Sequence, residues 1–363
     1  MRLTRMCQFA SAMLVLIVCS LHLEGKAFAS EHEIDLQAEL AAFLLEESLG
    51  GGVLLIDDLD EVITAAAGIA NRQSGKRVKN DTRFYLASAG KPMVAAAILG
   101  AVTQDQIDLD AKALDYFPKP SNAAQLDGIG DVTIRQLLNH TSGLAEYLSD
   151  EYLSFTQANT SRKWNANSAL SYAVGEPKVF AAGAAFEYTN TNYALLGEIL
   201  AALDGSLSAS LQKRVFDPAG MKTASVGAPA NSADLARGYV KGKDVSALGW
   251  NSVLGDGPVV GTVQDMRAFA KALMDGRIMG GAQFSQMVTL SPGAQFYGLG
   301  MGVDADEFGR FYGHSGAYEG YEAEFRYYPG KGLFLAYAVN GNQQSEDNIL
   351  DIAADWYFDQ KNP

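Results

Sequence analysis

Cysteine is almost missing from this 363-residue chain: there are two, Cys7 and Cys19. Both fall within the first 29 residues. Beyond them a disulfide, a thiolate nucleophile and a cysteine-ligated metal are excluded. Histidine is scarce as well, with His22, His32, His140 and His314. The last three stand far apart, and none has a His-x-x-x-His or Glu-x-x-His spacing. A metal hydrolase is therefore not expected, and no cofactor is called for. Basic residues number 28 against 42 acidic ones, a net charge of −14. That balance argues against nucleic acid and anionic membrane surfaces as partners. There is no internal repeat and no low-complexity segment.

The longest apolar stretch, residues 9–21, has 13 residues and is too short to span a bilayer. It follows Arg2 and Arg5 and precedes Ala27-Phe28-Ala29, a small-x-small site. Residues 1–29 are thus expected to be an export signal, with an N-terminal membrane anchor as the alternative. A lipid anchor at Cys19 is disfavoured, because Val18 stands where a small residue belongs. Removing 1–29 takes away three basic residues and one acidic, moving the charge from −14 to −16. An exported chain without disulfides suits a bacterial periplasm or exterior, and a core large enough to need no staples.

Apolar periodicity predicts a helix over 31–49, ended by Gly50-Gly51-Gly52. Two strands, 53–56 and 62–67, follow as a hairpin. Residues 71–81 read as a polar loop, and an apolar helix covers 92–102. From about 110 to 256 the segments are mostly helical, clearest at 133–139, 166–174, 193–203 and 207–215. Thr262 and Asp265 form a helix start like a capping box. After Pro292 the period shifts towards two, predicting strands at 297–303, 311–314, 321–328 and 333–340. Ser345 caps a last helix, 348–358, with Glu346 and Asp347 near its positive end. Strands at both ends and helices between them imply one antiparallel sheet built from N- and C-terminal pieces, an α/β (α+β) fold. The expected division is 30–109 and 257–363 as a sheet subdomain, with 110–256 as a mainly helical insertion.

Three clusters carry chemistry. Ser88-Ala89-Gly90-Lys91 sets a hydroxyl and an amine three residues apart, on one face of a helical turn. An amine held there can take the serine proton. Tyr188-Thr189-Asn190 precedes a helix. A tyrosine hydroxyl can shuttle a proton, and an asparagine can both donate and accept. His314-Ser315-Gly316 ends a strand whose edge a flat substrate backbone can follow. A histidine there can hold a carboxylate or relay protons.

In this order the three clusters resemble the motifs Ser-x-x-Lys, Tyr-x-Asn and Lys-Thr-Gly or His-x-Gly of the serine β-lactamase and penicillin-binding-protein superfamily. The nearest branch holds class C β-lactamases, D-alanyl-D-alanine carboxypeptidases, D-aminopeptidases and esterases. The stretches 133–144 and 217–222 are similar to further family signatures, and the likeness runs from about residue 35 to the C-terminus. It implies a β-lactamase-like fold and a serine hydrolase. Ser88 would be the acylated nucleophile, Lys91 its base, and Tyr188 a proton shuttle to the leaving group. Asn190 would position Lys91 and the substrate amide. His314 would replace the third-motif lysine, and Gly316 would leave room for substrate. The oxyanion hole would be the backbone N–H groups of Ser88 and Ala317.

The implied substrates are small molecules or peptides: D-amino-acid peptides of the carboxypeptidase type first, then esters, then β-lactams. A non-catalytic sensor of wall fragments is the alternative of another class. His314 resembles peptidase and esterase members more than true β-lactamases, and no separate glutamate base of the class A kind is evident. Pro92 directly after Lys91 is tolerable in a first helical turn. Glu319, just past the third motif, either tunes substrate preference or is merely solvated. Two decoys are set aside. His140-Thr141-Ser142 is read as structural. Gly313-His314-Ser315-Gly316-Ala317 lacks the last glycine of a nucleophile elbow.

Overall fold

A computed structural model describes residues 31–361 apart from 59, 118–120, 161–163, 230, 248–253 and 346–347. The expected export signal, and the acidic pair Glu346 and Asp347, lie outside the described residues. The chain opens with α1 (Glu31–Glu46) and the hairpin β1 (Gly51–Asp57) and β2 (Val62–Asn71). A two-residue strand, β3 (Lys76–Arg77), lies inside the stretch read as loop. The C-terminal part supplies β4 (Gly302–Asp306), β5 (Gly309–Tyr318), β6 (Tyr321–Tyr328) and β7 (Leu333–Val339). Together they make one seven-stranded sheet ordered β3-β2-β1-β7-β6-β5-β4. Its centre joins the two ends of the chain, with β1 antiparallel to β7 and Leu54 opposite Tyr337.

Every residue of β1 and β7 is buried, which the helices explain. Successive side chains of a strand point to opposite faces. Leu54 and Ile56 pack with Leu36, Leu40 and Phe43 of α1 and with Leu350. Val53 and Leu55 face the other way, into a core that includes Met93 and Phe269. A sheet covered on both faces reads as continuous apolar runs, as Val-Leu-Leu-Ile and Leu-Phe-Leu-Ala do here.

The layers come from α2 (Lys91–Thr103), α3 (Ile134–Leu138), α4 (Asp150–Ala158), α5 (Asn190–Asp204), α6 (Val263–Met274) and α7 (Ile349–Lys361). Two of them start on closed capping boxes. Thr133 pairs with Gln136 before α3, and Thr262 with Asp265 before α6. The described strands between 110 and 256 are two residues long, so that stretch is mostly helix and loop.

The strand expected at 297–303 is not formed as such. Gly298 N–H bonds back to the Met301 carbonyl, and Gly300 has φ +78°. The chain turns sharply there and runs close against α2, where a Cβ at Gly300 would lie 2.3 Å from Ala95 Cβ. The ladder begins only at Gly302, and Tyr297 is left facing β5.

Candidate active site

Ser88 sits in the single 3-10 turn Ala87–Gly90 that leads into α2. Ala87 holds φ +47°, a left-handed conformation that is costly without glycine. Pro92 occupies the first turn of α2, where its missing N–H goes unneeded. Residues Lys91 to Ala101 of that helix are buried all round. Lys91 is therefore carried, fully buried, into the interior beneath the serine.

An ammonium has three donors, and all three are met. Lys91 Nζ donates to Ser88 Oγ at 2.8 Å, to Asn190 Oδ1 at 2.8 Å and to the Asp256 carbonyl at 2.6 Å. No carboxylate touches it among the described residues. The Asn190 amide is in turn fixed by Glu146. One carboxylate oxygen accepts from the Asn190 backbone N–H at 2.7 Å and from its Nδ2 at 3.0 Å. The negative charge at the first turn of α5 also suits the helix dipole.

Asp256 reaches Lys91 because its loop runs hard against α5. A Cβ on Gly255 would come 2.1 Å from the Tyr193 carbonyl, and one on Gly197 would come 2.9 Å from the Gly255 backbone. Only two glycines permit that crossing.

Tyr188 immediately precedes the N-cap of α5. Its ring stacks on His140 with centroids 4.2 Å apart, and Lys91 Nζ lies 5.0 Å from its centre. His140 is fully buried with φ +58°. Its Nδ1 accepts the Thr189 backbone N–H at 3.2 Å, which puts the ring proton on Nε2. Burial, and then the Lys91 charge, hold it far below the usual histidine range, so it is neutral packing under Tyr188. The reading of His140 as structural agrees with this placement.

On the opposite wall, β5 pairs with β4 only as far as Gly313 opposite Gly302. From His314 onward the β4-side edge is left without a strand and faces Ser88. Gly316 is where the two pieces touch. A Cβ there would lie 2.6 Å from Ser88 N, 2.5 Å from Ala89 N and 2.4 Å from the Leu86 carbonyl. Its glycine thus lets the strand approach the turn that holds Ser88, a different use from making room for substrate. Ala317 follows on the same edge.

His314 donates from Nδ1 to the Ser315 carbonyl at 2.6 Å, and its Nε2 accepts the Tyr297 hydroxyl at 2.9 Å. These partners assign the neutral Nδ1–H tautomer. Desolvation, with the Lys91 charge second, lowers its pKa to about 3. Tyr297 is buried, and burial raises its phenol well above the ordinary value, so it remains a donor. Glu319, at the turn after β5, accepts an exposed hydrogen bond from Gln157 of α4 at 2.9 Å.

Ser88, Tyr188, His314, Gly316 and Ala317 all line one cavity, and Ser88, Asn190 and Ala317 line its neighbour. Sequence reasoning missed Glu146, Tyr147, Asp256 and Tyr297. Glu146 lies two residues past the 133–144 stretch, and Asp256 lies between two glycines. Those placements were the only signals available.

Residues 39–359 match the Beta-lactamase family, and the chain belongs to it. Esterase EstB of Burkholderia gladioli is 30% identical over 188 residues, 49% of this chain and 47% of the esterase. A D-aminopeptidase of Brucella anthropi is 29% identical over 289 residues, 76% of this chain and 53% of that protein. The chain thus spans about half the length of these curated relatives. The crystal structure of a penicillin binding protein from Bacillus halodurans shares the fold, with a TM-score of 0.75 at 24% identity over 87% of this chain and 98% of that one. The antiparallel sheet with flanking helices is therefore the fold of the serine β-lactamase and penicillin-binding-protein superfamily.

Proposed function

We propose that the protein is a serine hydrolase that cleaves amide or ester bonds through an acyl-enzyme on Ser88. The observation that carries this reading is the 2.8 Å contact of Lys91 Nζ with Ser88 Oγ, on an amine with no carboxylate partner among the described residues. In its uncharged form the Lys91 amine takes the hydroxyl proton as Oγ attacks the carbonyl carbon, the hydrogen between Nζ and Oγ then being the serine's own. The N–H groups of Ser88 and Ala317 meet the developing oxyanion, and losing one such donor typically costs about 3–4 kcal/mol of barrier. Tyr188 passes a proton to the departing nitrogen or oxygen, and Lys91 restores it. Water then attacks the acyl-serine by the reverse route, which returns the proton to Ser88 and frees the acid.

The finer choice concerns charge. A D-alanyl-D-alanine carboxypeptidase acts on peptides that end in a carboxylate. Here His314 is neutral with both nitrogens engaged, and no lysine or arginine lines either cavity among the described residues. We therefore rank amides and esters with uncharged leaving groups above carboxypeptidase substrates, and β-lactams third. The names of the two relatives, esterase and D-aminopeptidase, support that order. Export from a bacterial cytoplasm is part of the proposal and rests on residues 1–29 alone.

The test is intact-protein mass spectrometry with penicillin, a p-nitrophenyl ester, a D-amino-acid amide and a D-Ala-D-Ala peptide. A transient adduct that is lost in Ser88→Ala is expected with the ester. A permanent adduct with every ligand would mean a sensor. Labelling of Ser88→Ala at the wild-type level would move the nucleophile elsewhere, and fastest turnover of D-Ala-D-Ala would restore the carboxypeptidase reading.

A further inference from the structure

Ser88 and Ala317 stand between two compartments. Tyr188, Phe296, Tyr297 and His314 line one of them. In the function proposed above, on which this inference rests, Tyr188 protonates the leaving group. The leaving group must then lie in that compartment, and the acyl group in the other.

The acyl compartment is a cavity of ≈ 120 Å³ walled largely by Tyr85, Tyr147, Tyr152, Tyr318 and Leu254. One acidic side chain lines it, Asp256. Its carboxylate accepts a single hydrogen bond, from the Tyr147 hydroxyl at 2.7 Å, and no lysine or arginine pairs with it among the described residues. Tyr147 is buried, and desolvation together with the Asp256 charge raises its phenol well above the ordinary range. It therefore remains a donor. Burial, then the charges of Glu319 and Asp256, push the Tyr318 phenol up to about 12.

A carboxylate has about four acceptor positions, and a half-buried one among aromatic walls is costly until a cation meets it. Its place is also specific. The Asp256 carbonyl oxygen is 2.6 Å from Lys91 Nζ, which is 2.8 Å from Ser88 Oγ. That bond fixes the backbone of Asp256 beside the Ser88–Lys91 pair, and its side chain lines the same cavity as Ser88.

We infer that Asp256 is a specificity-determining residue that receives a substrate ammonium. The acyl compartment takes an α-amino acyl group with a free amine and an aromatic or branched aliphatic side chain. The amine sits on the carboxylate, and the side chain lies among the tyrosines. A blocked or missing amine leaves Asp256 unpaired.

The experiment compares kcat/KM for the better of D- and L-phenylalanine p-nitroanilide with its N-acetyl and des-amino (3-phenylpropionyl) counterparts. Wild-type protein is expected to prefer the free amine by about tenfold or more, as a charge-assisted contact allows. Asp256→Asn should collapse that ratio to near one, and Asp256→Glu should keep a preference. A wild-type ratio near one overturns the inference without any variant, as does a ratio that Asp256→Asn leaves intact. Turnover of p-nitrophenyl 3-phenylpropionate is the control. If it fails together with all three anilides, the hydrolase reading falls and takes this one with it. If ester turnover is intact and there is no amine preference, only the present inference fails.

Discussion

A single oxygen of Glu146 holds both the backbone N–H and the side-chain Nδ2 of Asn190, at 2.7 and 3.0 Å. That pair decides which end of the amide faces the catalytic centre. With Nδ2 committed to the carboxylate, Oδ1 is presented to Lys91. Glu146→Ala frees the amide to rotate and leaves the first turn of α5 without its anion. The expected result is a fall in kcat of about ten- to hundredfold, with KM changed much less. Steady-state kinetics on a p-nitrophenyl ester would show it, and an unchanged kcat would remove Glu146 from the positioning network.

Gly316→Ala tests the approach of β5 to Ser88. The added carbon would meet three backbone atoms within 2.6 Å, and backbone cannot rotate away. The strand must shift, carrying Ala317 with it. We expect a loss of about 1–3 kcal/mol in stability from overpacking. Labelling of Ser88 by a fluorophosphonate should slow by about hundredfold or more, as one of the two proposed oxyanion donors moves off. Thermal melts and labelling rates on the same preparation separate the two effects. Wild-type rates in the variant would mean that the strand tolerates a side chain.

Lys91→Met keeps the length of the side chain and removes its proton-accepting nitrogen. Acylation should slow by about 10²–10⁴-fold, the usual contribution of a general base. Circular dichroism should still report a folded chain, because α2 is apolar all round and accepts methionine. A variant that is folded and fully active would show that the serine proton leaves by another path.

His314 supplies a pH prediction. Its pKa stands at about 3 in the folded chain, against an ordinary value of 6.5. Between these two values the unfolded chain binds a proton that the native one refuses. The stability contributed by the neutral ring is therefore complete above pH 6.5 and lost as the pH falls towards 3. Its imidazole resonances should stay flat from pH 8 to about 5, where an unperturbed histidine would titrate. A midpoint near 6.5 in the NMR titration would mean that the ring is open to water and available to a carboxylate.

Much of the architecture is written locally. Alternation along 321–328 and the apolar runs at 53–56 and 333–340 marked the central strands, because strand side chains alternate whatever lies around them. The Thr262–Asp265 box closed as its spacing suggests, since a cap needs only neighbours. The order of the three motifs pointed to Ser88, Lys91, Tyr188, Asn190, His314, Gly316 and Ala317 before any contact was known. Tertiary packing decided the rest. Glu146 and Asp256 act on partners 44 and 165 positions away, and no periodicity relates them. The turn at Gly298–Gly300, which runs close against Ala95 of α2, shortened an expected strand. The neutrality of His314 is likewise invisible in one dimension. A protonation state reflects the sum of burial and surrounding charge, and that sum exists only once β5, Lys91 and Tyr297 have been brought together.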